Sequence, residues 1–211
     1  MKQIRKMGEN SKNYGYTLKD NYNIKKSNLF WKLVDILSFK LEKIAKIYDE
    51  TVSKEYIREF NMFNIHDAKN ILHIGCGSYP ITAMTLYNLN GGNITGIDRS
   101  EKAVEKAKII IAEKHQNDRV KIMIGDGSKY SPEGFDTIIV SGCSVPKLKV
   151  LENLIKKAKS KSRIIVRESC DISNVISKYL EEQKEKIKIE NHMINKIKDR
   201  DGWESFLLIK K

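Results

Sequence analysis

Apolar residues recur at helical spacing from Leu29 to about Phe60, through Phe30, Leu33, Val34, Leu37, Leu41, Ile44, Ile47 and Tyr48, and predict one long or two shorter helices. The pattern changes at Asn70. The run Ile71-Leu72-His73-Ile74 ends in a glycine turn, as a buried parallel strand does. Beyond it, helical and apolar-strand patterns alternate. A helix over about 80–90, a strand over 93–98, a helix from Ser100 to about His115, and strands over 120–125 and 135–140 come first. A helix over about 147–159, a strand over 163–168 and a helix over 172–184 follow. Two last apolar segments, 186–194 and 203–211, flank Lys-Asp-Arg-Asp-Gly, a turn-rich link that suggests an antiparallel hairpin.

Repeated strand–helix units require a parallel sheet with helices on both faces, because crossovers between parallel strands need a helix and are nearly always right-handed. The expected architecture is α/β: a Rossmann-like, doubly wound, seven-stranded sheet with an antiparallel last strand, plus an N-terminal helical cap. Residues 1–28 are polar and punctuated by Tyr14, Tyr16 and Tyr22, and read as a flexible arm. Residues 29–64 form the cap and 65–211 the main domain. The arm is expected to order over the pocket as a lid.

A chain of 211 residues with 40% hydrophobic and 31% charged residues fits one globular domain with a short appendage. No apolar run approaches the roughly 20 residues that span a bilayer, and residues 1–16 lack the apolar stretch of a signal peptide. A cytoplasmic location with no membrane partner is expected. Cys76, Cys143 and Cys170 are too few and too widely spaced for a disulfide framework. The net charge of +12 could attract nucleic acid. Because the excess is mostly Lys interspersed with Asp and Glu, an ordinary solvated surface explains much of it.

Open α/β sheets bind ligands at the carboxyl ends of their strands. The first such loop, Gly75-Cys76-Gly77-Ser78-Tyr79-Pro80, opens a helix whose free amides can face a carboxylate or phosphate. Pro80 stands where a dinucleotide fingerprint has its third glycine, which favours a smaller nucleoside ligand. Asp98 lies about 20 residues beyond the turn, where a carboxylate can accept hydrogen bonds from both ribose hydroxyls. Ser100 can cap the following helix and so leave Asp98 free. In Gly125-Asp126-Gly127 an acidic side chain flanked by glycines can meet an adenine amino group, or can simply form a turn.

Over about residues 65–211 these loops and the closing hairpin resemble the class I S-adenosylmethionine-dependent methyltransferases. The resemblance implies S-adenosyl-L-methionine with its amino-acid tail near Gly75–Gly77, ribose at Asp98 and adenine near Asp126. The implied cofactor-binding set is Gly75, Cys76, Gly77, Pro80, Asp98, Arg99, Asp126, Gly127, Ser141 and Gly142. A narrower likeness, to nicotianamine synthases, rests on the segments 73–86, 135–159 and 163–176. Those enzymes transfer an aminocarboxypropyl group. This chain is much shorter at its amino end and has Cys76 between the glycines where they have another small residue.

Many amino-group methyltransferases resemble Asn-Pro-Pro-Tyr after strand four; here the segment is Ser141-Gly142-Cys143-Ser144-Val145-Pro146, which disfavours transfer to an exocyclic base nitrogen. Tyr79, Ser141, Cys143 and Glu168 are expected around the pocket, with Glu168 and Tyr79 as the catalytic candidates and Glu168 as base unless a cation such as Arg167 satisfies it. A metal site is not expected: the cysteines form no close pair, His73 reads as a core histidine, and His66, His115 and His192 show no ligand spacing. The leading expectation is methyl transfer to a small-molecule acceptor. Aminocarboxypropyl transfer is the first alternative, and an RNA-binding protein that retains the fold is the second.

Overall fold

The computed structural model describes residues 16–89, 91–197 and 200–211. Two helices come first, α1 (Leu18–Lys40) and α2 (Glu42–Met62), separated by Leu41 in an extended conformation. Helix α1 begins well ahead of the expected Leu29. The reason is local: the Thr17 side chain accepts from the Asp20 amide at 3.1 Å, and the Asp20 carboxylate accepts from the Thr17 amide at 2.8 Å. This reciprocal cap satisfies amide groups that the helix leaves open, and it converts residues 18–28 from the expected arm into helix. Tyr14 and the rest of residues 1–15 lie outside the described residues.

The main domain runs β1 (Asn70–Ile74), α3 (Ile81–Leu89), β2 (Asn93–Asp98), α4 (Glu101–Glu113), β3 (Val120–Ile124) and β4 (Thr137–Val140). It continues with α5 (Lys147–Lys157), β5 (Arg163–Ser169), α6 (Ser173–Glu182), β6 (Ile187–Ile197) and β7 (Arg200–Lys210). The seven strands lie in the order β3-β2-β1-β4-β5-β7-β6. The first five pair in parallel, and β7 pairs antiparallel with both β5 and β6. The expected fold is therefore the observed one. The hairpin strands extend further than their apolar runs, so that Arg200–Gly202, expected in the turn, belong to β7.

Alternation along each strand divides the core in two. Ile71 of β1, Ile94 of β2 and Ile139 of β4 pack with Phe60 of α2, Leu86 of α3 and Ala107 of α4 on one face. Leu72, Ile97 and Ile138 pack with Leu151 and Leu154 of α5 and Leu180 of α6 on the other. Strand order reverses between β1 and β4, which opens a crevice at their carboxyl ends. The N-terminal helices lie on the α3 side of that crevice.

Candidate active site

A cavity of about 550 Å³ occupies this crevice. Its floor is the turn after β1, where Gly75 and Gly77 adopt φ of +80° and +71°. A β-carbon at Gly77 would lie 2.8 Å from the Asp35 carboxylate, and one at Gly75 would strike Ser144. Only glycine fits both positions, so bare backbone faces the cavity. At the end of β2 the Asp98 carboxylate accepts from the Gly77 amide at 3.1 Å and from the Ser100 amide at 2.9 Å. Each oxygen thus keeps capacity for a further donor from the cavity. Ser100 caps α4 through the Ala103 amide, as the sequence suggests.

Two amides of the turn that leads into α3 are not open to an incoming anion. Asp35 of α1 accepts from the Ser78 and Tyr79 amides, each at 2.7 Å. Desolvation, with a smaller contribution from Asp98, raises the Asp35 carboxyl above its ordinary range despite those bonds. The wall beside the turn thus carries two carboxyl groups, Asp35 and Asp98. It suits an ammonium group better than a second carboxylate.

The cavity also takes in Cys76, Tyr79, Arg99, Ser141, Gly142 and Cys143 from the expected set. Four expected residues are not among those lining it. Pro80 is buried. The Asp126 carboxylate turns back on the amide and hydroxyl of Ser128, at 2.9 and 2.7 Å. Gly127 is packed against Ile74 of β1. Glu168, the expected base, is only 4% exposed and points to the α5 face, with the Lys147 ammonium 3.5 Å away. Lys147 donates to the carbonyls of Ser141, Gly142 and Arg167 at 2.6–2.7 Å and so holds the loop after β4 in place. The cation that satisfies Glu168 is Lys147, because Arg167, the neighbouring strand residue, faces the opposite side of the sheet.

That opposite side carries a second buried ion pair. Arg167 grips Glu59 of α2 at 2.7 Å, donates to Thr82 of α3 at 2.8 Å, and stacks on Tyr56 at 3.7 Å. The Ser205 hydroxyl of β7 also donates to Glu59. Above this pair stands an aromatic wall that sequence reading missed. Trp203 meets Trp31 and Tyr56 edge-on at 6.5 and 5.5 Å, and Tyr48 lies 6.1 Å from both Trp31 and Tyr79. The Tyr79 hydroxyl donates to Asp49 at 2.8 Å, and burial together with Asp49 pushes its pKa upward, which makes it a poor base. Of the expected lid tyrosines, Tyr16 packs beside the α5-face core, whereas Tyr22 is 66% exposed on α1; neither lines the cavity.

His73 is a core histidine that also reaches the cavity, with Nε2 2.7 Å from the Ser141 hydroxyl. Desolvation, aided by Arg167, lowers its pKa from 6.5 to about 3. Between those values the unfolded chain binds a proton that the folded chain does not, so stability falls as pH drops below 6.5. At about 1.4 kcal/mol per pH unit, the contribution between pH 6.5 and pH 5 is about 2 kcal/mol. Urea unfolding of His73→Gln should show a correspondingly shallower loss than wild type; parallel curves would remove His73 as its source.

Among the described residues no group of three or more His, Cys, Asp or Glu side chains is placed to hold a metal ion. The three cysteines are unpaired. Desolvation and nearby carboxylates push the Cys143 and Cys170 thiols to about 11.

A sequence profile described as "Methyltransferase domain" matches residues 65–207. A curated relative from Thermoplasma volcanium, a probable cobalt-precorrin-6B C(15)-methyltransferase (decarboxylating), is 27% identical over 120 residues. That match covers 54% of this chain and 59% of the relative. Among solved structures, a mutant of MtNAS superposes with a TM-score of 0.73 at 15% identity, over 92% of this chain and 78% of that one. The same mutant with S-adenosylmethionine bound gives 0.69 at 15% identity, over 92% and 80%. The mitomycin 7-O-methyltransferase MmcR gives 0.61 at 16% identity, over 83% and 60%. At these identities the structural likeness is one of fold.

Proposed function

This chain belongs to the methyltransferase-domain family over residues 65–207, and from that premise we propose that it transfers the methyl group of S-adenosylmethionine to a small-molecule acceptor in the cytoplasm. The observation that carries the reading is Asp98, held at the cavity wall by the Gly77 and Ser100 amides beside a turn that only glycine can form. Asp98 takes the ribose hydroxyls. Gly75, Cys76 and Gly77 give close backbone approach, and Arg99, Ser141 and Gly142 complete the cofactor's surroundings.

The amino-acid tail carries an ammonium as well as a carboxylate, and Asp35 receives the ammonium. Replacing Asp35 by Asn should then weaken binding by about 1–2 kcal/mol. Because the Asp35 carboxyl is raised, wild-type affinity should fall with pH starting above the ordinary carboxylate range, and the variant should lack that limb. Calorimetric titrations across pH decide this; tighter binding by the variant would mean that Asp35 competes with the tail.

S-adenosylmethionine supplies a methyl group on an already activated sulfonium, so the protein's task is alignment and exclusion of water. Trp31, Tyr48, Tyr56 and Trp203 form the acceptor side and favour a planar or apolar acceptor. Tyr79, which lines the cavity with its proton committed to Asp49, orients the acceptor rather than deprotonating it. Glu168 acts through Lys147 on the loop after β4.

Incubation with S-adenosylmethionine and a small-molecule extract, followed by mass spectrometry, tests the reaction. S-adenosylhomocysteine together with a methylated product is expected. Methylthioadenosine would mark aminocarboxypropyl transfer instead. Neither product would overturn both.

A further inference from the structure

Helix α1 has two different faces. One half of its circumference carries Asn28, Trp31 and Asp35 and lines the cavity. On the other half, Leu18, Tyr22, Leu29, Phe30, Leu33 and Leu37 are 42–91% exposed. Lys19, Lys25, Lys26 and Lys40 are exposed on that same half. At 3.6 residues per turn these positions fall within roughly half of the helix circumference. The two carboxylates of α1, Asp20 and Asp35, fall outside it and are less exposed. The inner side lines the cavity and packs Trp31 on the core, whereas the described residues leave the outer apolar stripe largely uncovered.

We propose that the outer face of α1 docks on an anionic lipid bilayer surface. Six large apolar side chains can enter the boundary between headgroups and acyl chains, while the lysines meet anionic headgroups. The helix is about 35 Å long and exposed along its length, which suits a flat surface. A second copy packed on the same stripe would set lysine against lysine. Nucleic acid would answer the lysines and leave the leucines in water. No helix among the described residues is long and apolar enough to cross a membrane, so the contact is peripheral. It places the helix that roofs the cavity at the bilayer.

Flotation of the 211-residue chain with vesicles of phosphatidylcholine, alone or mixed with phosphatidylglycerol, tests this. The wild type should float with the mixed vesicles about tenfold more than with phosphatidylcholine alone, and less as salt rises. Leu29→Ser/Leu33→Ser should lose that binding at every salt concentration, and Lys25→Glu/Lys26→Glu should lose it most at low salt. None of these four residues lines the cavity, so an unchanged circular dichroism spectrum and S-adenosylmethionine affinity would show that the fold and the cofactor site are intact. Several results would overturn the proposal. They are absence of flotation with either vesicle, equal flotation of the leucine variant and wild type, a dimer in sedimentation that the leucine variant abolishes, or RNA binding that it leaves untouched.

Discussion

Replacing Arg167 by methionine should lower the free energy of unfolding by about 3–5 kcal/mol, because it leaves the Glu59 carboxylate buried without its cation. Glu59 is 0% exposed and Arg167 2% exposed, so water cannot take over for the missing partner. The guanidinium also ties three elements together: Glu59 on α2, Thr82 on α3 and its own strand β5. Its loss should therefore loosen the cap from the domain as well as weaken the core. Methionine approximates the volume of the arginine stem, so the effect is one of charge and hydrogen bonding. The double variant Glu59→Gln/Arg167→Met removes both charges and should recover part of the loss, since much of the single-variant effect is the cost of a stranded charge. Urea midpoints for the wild type, both singles and the double decide this. A single variant within about 1 kcal/mol of wild type would mean that Glu59 accepts a proton or reaches solvent at little cost.

Asp98→Ala should weaken S-adenosylmethionine binding about 5- to 150-fold, equivalent to about 1–3 kcal/mol. Two losses combine. In the proposed placement the ribose hydroxyls would lose their acceptor, and the Gly77 and Ser100 amides lose the carboxylate that fixes the turn and the start of α4. Asp126→Ala should have a smaller effect, because that carboxylate is turned onto Ser128 and does not line the cavity. If Asp126→Ala were the more damaging change, the adenosine would lie across the loop after β3 and not along β2. Unchanged affinity in a folded Asp98→Ala variant would remove the ribose assignment.

The sheet was legible because its signals are local. Ile71–Ile74, Asn93–Asp98 and Thr137–Val140 are short apolar runs that end in turn residues, and their order with the intervening helices leaves few topologies. The glycine turn and carboxylate at the edge of the cavity were legible for the same reason: Gly75, Gly77 and Asp98 sit at strand ends at a characteristic separation. What could not be read depends on side chains far apart in the chain. Asp35 meets the Ser78 and Tyr79 amides across more than 40 positions, and nothing near Asp35 in the sequence marks it out. Glu168 looked like a base because it ends a strand at the correct edge. Which face it takes, and that Lys147 would be buried beneath it, follow from packing of α5 alone. The aromatic wall joins residues of α1, α2 and β7 that share no motif. One local signal, Thr17 followed three residues later by Asp20, marks the start of α1 despite the polar stretch beneath it.

The proposed function requires that the crevice between β1, β2 and β4 hold S-adenosylmethionine. The decisive experiment is calorimetric titration of the cofactor into the 211-residue chain. The expected result is saturable binding of one equivalent, with a dissociation constant of about 1–100 μM, displaced by S-adenosylhomocysteine and weakened in Asp98→Ala. A flat titration in a folded protein, or binding that Asp98→Ala leaves intact, would rule out this placement of the cofactor.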